Sequence, residues 1–182
     1  MLRLVLAYLT FPGVVVHEYA HAWACRRMGI RIIKVCYLRL GNPLGYVLHE
    51  RPGYAVQHIM VAVAPFFVST VIALAVSLAA TVLVASHALE GSQDIVMPLG
   101  VWLGFSIALH AFPSCGDADS LWNEVRSPDV GLFAKLALVP VVGMIRLTGF
   151  GSRVWLDVLY AVTVVAVPPL LVAAAMVSPD RL

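Results

Sequence analysis

Long apolar runs separated by short charged stretches dominate this chain, and the runs have the length of helices rather than strands. Uncharged or nearly uncharged segments fall at about residues 4–26, 52–89, 95–113, 130–147 and 154–177. The second is the most extreme. Its 38 consecutive residues hold no Asp, Glu, Lys or Arg, whereas a membrane-spanning helix needs only ~20. A span over 59–87 is therefore predicted inside it. The fourth run is shorter and carries Lys135, so it crosses, re-enters or lies in the interface. The pattern predicts an all-α polytopic membrane protein of about five transmembrane helices, with residues 1–182 as a single membrane-embedded domain. Residues 31–50 read differently. Ile32, Ile33, Val35, Tyr37, Leu38 and Leu40 precede a Gly41-Asn42-Pro43-Leu44-Gly45 turn, and Tyr46, Val47 and Leu48 follow it. That segment forms either a β-hairpin or an interfacial loop with snorkelling Arg and Lys side chains.

Composition supports the membrane reading. Hydrophobic residues make up 61% of the chain and charged residues 12%, against roughly 45–50% and ~25% in soluble domains. A core of ordinary size cannot hold that much apolar surface, so the lipid bilayer is the expected partner. The net charge is +2 with no basic tract, which excludes a nucleic-acid partner. Three cysteines (Cys25, Cys36, Cys115) at unrelated spacings predict free thiols rather than a disulfide framework.

Six of the twelve basic residues lie between the first two runs (Arg26, Arg27, Arg31, Lys34, Arg39, Arg51), while the 87–95 connection holds Glu90 and Asp94 and no cation. The positive-inside rule then places the first loop in the cytoplasm. Counting spans from there puts the N-terminus outside, the 114–129 loop inside, the 148–153 turn outside and the C-terminus inside.

Chemistry enters at His17-Glu18-Tyr19-Ala20-His21, an H-E-x-x-H. Residues four apart on a helix share a face, so both imidazoles can hold one zinc ion, with Glu18 placed as the general base beside it. Counted back from Arg26, the pair lies roughly 8–14 Å inside the boundary at ~1.5 Å per residue. Ionisable groups at that depth imply a polar cavity and a function. A catalytic zinc takes a third protein ligand, and the carboxylates at matching depth are Asp117 and Asp119, in the stretch from His110 to Asp119 that Pro113 and Gly116 break. Either acid also suits the N-terminus of a helix starting near Ser120. Cys115 is a further thiolate candidate, but it is read in preference as an ordinary small residue of a packed turn.

With these features the chain resembles the site-2 proteases, which are intramembrane zinc metalloproteases. The resemblance covers roughly residues 10–122. The H-E-x-x-H is followed by Ala24-Cys25-Arg26-Arg27-Met28-Gly29, then by the β-prone segment and its Gly-rich turn, then by Ala64-Pro65 in the second run. An Asp preceded by Pro in a broken helix comes about a hundred residues after the first motif. The resemblance implies zinc held by His17, His21 and Asp117, with Glu18 activating water, a hairpin at 31–50, and transmembrane protein substrates that unwind locally to pair with its strand edge. Asp117 is preferred to Asp119 because small Ala118 follows it, where the family has Gly. The chain departs from the family in lacking an Asp-Gly pair, an Asn-Pro leading into the ligand loop, and a PDZ or CBS domain, so it reads as a minimal, divergent member.

His110 is expected to donate to a developing oxyanion or to orient a zinc ligand. His49 and His58 are read as surface or interface histidines and His87 as lying at the opposite face. Asp157 is expected to pair with Arg153, one turn earlier. The rival reading is a membrane metal-ion transporter or a metal-binding protein without protease activity, although a transport path needs a second polar helix. A chain with no appended domain suits a prokaryotic cytoplasmic (inner) membrane, with the active site toward the cytoplasm; its oligomeric state is not written in the sequence.

Overall fold

The computed structural model describes residues 2–86, 91 and 93–177, the side chains at 152, 153 and 177 excepted. Seven helices and one two-stranded sheet occupy the described residues: α1 (Leu2–Leu9), α2 (Phe11–Arg27), β1 (Ile32–Cys36), β2 (Tyr46–His49), α3 (Ala55–Ala85), α4 (Gln93–Leu109), α5 (Cys115–Arg126), α6 (Leu132–Arg153) and α7 (Leu156–Val177). Three of them, α3, α6 and α7, are long and apolar enough to cross a membrane, and α4 is apolar over 17 residues. The 31–50 segment is a hairpin. β1 and β2 pair antiparallel, with Val35 opposite Val47 and Cys36 opposite Tyr46.

The first apolar run is two helices rather than one. Pro12 has no N–H for the Tyr8 carbonyl four residues back, and its fixed φ suits the first turn of a new helix, so the chain breaks at Thr10 and restarts. Ser106 of α4 completes the break. Its hydroxyl accepts from the Gly13 N–H at 3.0 Å and donates to the Thr10 carbonyl at 2.8 Å, so a neighbouring helix caps α2. At its other end α2 stops on Gly29 in the left-handed region (φ 68°). There the Ile30 N–H reaches the Cys25 carbonyl and the Gly29 N–H reaches the Arg26 carbonyl, a Schellman closure.

Contacts between helices fix their relative sense. Gly13 meets Ser106 and His17 meets the His110 carbonyl just past α4, so α2 and α4 run parallel. Ala80 lies opposite Gly100, and Ala73 opposite Gly104, so α3 runs against them. Thr70 bonds Tyr160, and Ser77 bonds the Val165 carbonyl, so α7 runs in the same sense as α3. This reverses the order expected for the last spans. The C-terminal end of α7 lies away from the hairpin; residues 148–153, expected as a turn, are the last residues of α6, and there Gly149 faces the Cys115 sulfur near the site. The reason is that α6 folds back along α5: Arg146 pairs with Asp119, and Leu138, Val142 and Ile145 pack on Ala118, Leu121 and Ala62. The stretch of α6 from Leu138 to Arg146 lies against α5.

The N-terminus also departs from expectation. Instead of continuing α2 toward the far end of the bundle, α1 lies along the site. Arg3 forms a 2.9 Å ion pair with Asp157 at the start of α7 and stacks on Trp155, and the Tyr8 hydroxyl accepts from the Gly41 N–H in the hairpin turn. Asp157 therefore has Arg3 as its partner; the Arg153 side chain, like His87 and Glu90, lies outside the described residues.

Candidate metal centre

Parts of the fold that are far apart in sequence converge on one cavity of ≈ 940 Å³, lined by His17, Glu18, His21, Gly45, Val61, His110, Ser114 and Asp117 among others. His17 and His21 are both buried on one face of α2, as the four-residue spacing requires. His21 Nε2 lies 3.2 Å from His17 Nε2 and 3.3 Å from Asp117 Oδ1, and one ligand atom from each of the three residues lies within 4.8 Å of the others.

Both imidazoles are held through their second nitrogen by backbone. His17 Nδ1 donates to the His110 carbonyl at 2.7 Å and His21 Nδ1 to the Val61 carbonyl at 2.9 Å. A carbonyl only accepts, so each Nδ1 carries the proton and each Nε2 presents a lone pair to the cavity in the neutral ring.

Why those two carbonyls are free follows from the sequence. Within α3, Val61 O would bond the N–H of residue 65, but that residue is Pro65 and has none. His110 follows the last residue of α4, and the N–H four residues on, at Ser114, is turned to the Asp117 carboxylate instead. A proline and a helix end thus supply the acceptors that orient the ligands.

Asp117 does two things at once. Its Oδ2 accepts from the Ser114 N–H and hydroxyl at 2.6 and 2.7 Å, closing a capping box at the start of α5, which leaves Oδ1 toward His21. The expected cap of a helix starting near Ser120 is not what forms: α5 starts at Cys115 with Ser114 as its N-cap, and Asp117, third in the helix, closes the box while its other oxygen lies against His21. Burial alone would raise this carboxyl, but the charge and hydrogen bond of His21, reinforced by His17 and Ser114, hold it well below the usual carboxylate range. Asp119 is 68% exposed and turned to Arg146. Cys115 is exposed and stands outside the three-residue cluster.

Two imidazole lone pairs and a carboxylate oxygen so close together repel one another unless a proton or a cation lies between them. Two of the three separations, 3.2 and 3.3 Å, match the edge of a tetrahedron with ~2.0 Å metal–ligand bonds, about 3.3 Å, and the third pair lies within 4.8 Å. The donor set therefore fits a zinc ion.

Glu18 is buried on the same helix turn, beside Gly45 of the hairpin, whose missing side chain makes room for the glutamate Cγ. The His110 ring lines the same cavity, with its Nε2 bonded to Thr10 Oγ1 at 2.9 Å. Its backbone carbonyl orients His17. His58, read as a surface residue, is buried on α3, where its Nε2 bonds Ser120 Oγ at 3.0 Å. The signal was its position three residues before Val61, on the side of α3 that faces the cavity. His49 is only partly exposed and bonds the Glu50 carbonyl.

Compared with known proteins, the chain matches no family model, no curated protein and no solved structure.

Proposed function

We propose that the protein is an integral membrane zinc metalloprotease that hydrolyses peptide bonds of transmembrane or membrane-associated substrates, a minimal and divergent relative of the site-2 proteases. The observation that carries the reading is the convergence of His17, His21 and Asp117, with both imidazoles oriented by backbone carbonyls and Glu18 buried alongside. Those three residues would hold the zinc. When bound, zinc supplies Lewis-acid polarisation of a carbonyl and lowers the pKa of water.

The chain's own residues supply the rest. Glu18 takes the proton from the attacking water and passes it to the leaving amine, a role that a carboxylate beside the reacting carbonyl can fill in both directions. Gly45 keeps the space into which the Glu18 side chain extends. A substrate in extended form has its carbonyls free, unlike a helix, and the short hairpin beside Glu18 offers a strand edge for it. The three long apolar helices support a membrane location, and the basic residues around the hairpin support a cytoplasmic site.

Against the transporter reading stands Glu18, a buried carboxylate on the same helix turn that lies outside the cluster of His17, His21 and Asp117. The test is Glu18→Gln in the purified full chain, assayed on a model transmembrane substrate with zinc measured in parallel. The variant is expected to keep its zinc and lose cleavage by at least 100-fold, as general acid–base roles are worth about 10²–10⁴-fold. Cleavage at the wild-type rate would remove Glu18 from the mechanism.

A further inference from the structure

The polar face of α5 does not end at Asp117. Asp117, Ser120, Glu124 and Ser127 follow at i, i+3, i+7 and i+10, one stripe of the helix and its C-cap. Asp117 turns to His21, and the others are held by Arg51, from the segment that joins the hairpin to α3, and by His58, in the first turn of α3. Arg51 Nε and Nη2 donate to Glu124 Oε2 and Oε1 at 2.9 and 3.0 Å, and Nη2 also reaches Ser127 Oγ at 3.0 Å. His58 Nε2 holds Ser120, and its Nδ1 lies 3.8 Å from Glu124 Oε2. The Glu124 side chain is only 12% exposed.

A planar guanidinium on both oxygens of one carboxylate fixes direction as well as distance, which a point charge does not. That matters because the other side of α5 is apolar. Ala118 and Leu121 pack on α6, and such contacts have no directional preference. They resist separation of the helices more than rotation or sliding. The polar stripe supplies the missing constraint, and it ties α5 to the hairpin whose Gly45 lies against Glu18.

We propose that Arg51, Glu124 and His58 are positioning residues for the third metal ligand: they set the rotation and register of α5 so that Asp117 meets His17 and His21. This rests on the reading of that cluster as a zinc site. Partners one step removed from a metal typically matter by 10–100-fold in affinity.

The test measures zinc affinity by chelator competition, the visible spectrum of the cobalt(II)-substituted protein, and zinc-free melting, all on the full chain in detergent. Wild type is compared with Arg51→Ala, Glu124→Gln, Arg51→Lys and the reversed pair Arg51→Glu with Glu124→Arg. Arg51→Ala and Glu124→Gln are expected to weaken zinc by about 10–100-fold and shift the cobalt bands, with zinc-free melting close to wild type. Arg51→Lys should recover only part of the affinity, and the reversed pair most of it. If Glu124→Gln does not fold, the exposed Arg51 side carries the comparison. Zinc affinity unchanged in folded variants overturns the inference while leaving the zinc site intact. So does a loss of affinity that follows zinc-free stability and is not restored by the reversed pair. A wild type that takes up no zinc overturns both readings together.

Discussion

Pro65 shows how much of the site rests on one backbone atom. By withholding an N–H it leaves the Val61 carbonyl to His21 Nδ1. Pro65→Ala would return a donor to that carbonyl, and the helix would compete with the imidazole for it. Relative to Pro, Ala favours a helix interior by ~3 kcal/mol, while the lost ring methylenes of this fully buried residue cost about 0.8 kcal/mol each. The zinc-free protein is therefore expected to melt no lower than wild type. Zinc affinity is expected to fall by about tenfold, the low end for a displaced orienting contact. Chelator competition together with a zinc-free melt checks both signs; equal affinity would mean that the Val61 carbonyl serves both donors without cost. The H-E-x-x-H was legible in the sequence because its spacing is a helical period, and the pair Asp117 and Asp119 because Pro113 marks a broken helix; the choice between the two came from the family resemblance, and Gly116 lies inside α5 rather than at the break. The carbonyl partners were not. A missing N–H is visible in the letter P, but where the freed oxygen points depends on which helix crosses it.

Helix α2 is too short to stand as one long span, because Pro12 interrupts the run that hydropathy alone joins over residues 4–26. Hydropathy averages over a window and gives proline little weight, so this break was hidden while the letter that makes it was plain. The close approach of α2 to α4 at Gly13 and Ser106 follows from the same break. A methyl group at Gly13 would overlap the Ser106 carbonyl and press on the His110 ring. Gly13→Ala should thus separate the two helices and cost on the order of 1–3 kcal/mol, read as a lower melting temperature. A Gly13→Ala protein as stable as wild type would contradict the packing described. The hairpin was within reach of the sequence, since its turn residues and β-branched runs are local signals. The sense of α6 and α7 was not. Alternating spans in and out places helices by their count along the chain, whereas side-chain contacts set α6 against α5 and α7 in the sense of α3.

The whole bundle brings chemistry from distant parts of the chain to one cavity. Its walls include α1, the H-E-x-x-H face of α2, the hairpin, the first turns of α3 and the start of α5. The apolar exterior agrees with a protein that lives in lipid, where polar groups collected inside are expensive unless they serve a function. Two histidines, a glutamate and an aspartate gathered in this way, with two protonated Nδ1 atoms and three converging lone-pair donors, make metal binding the central claim. It is tested most directly by the zinc content of the purified protein, measured side by side for wild type, Asp117→Ala and Asp119→Ala. About one zinc per chain is expected in wild type and Asp119→Ala, and almost none in Asp117→Ala. Zinc lost from Asp119→Ala and kept by Asp117→Ala, or no zinc in a folded wild type, would contradict the account.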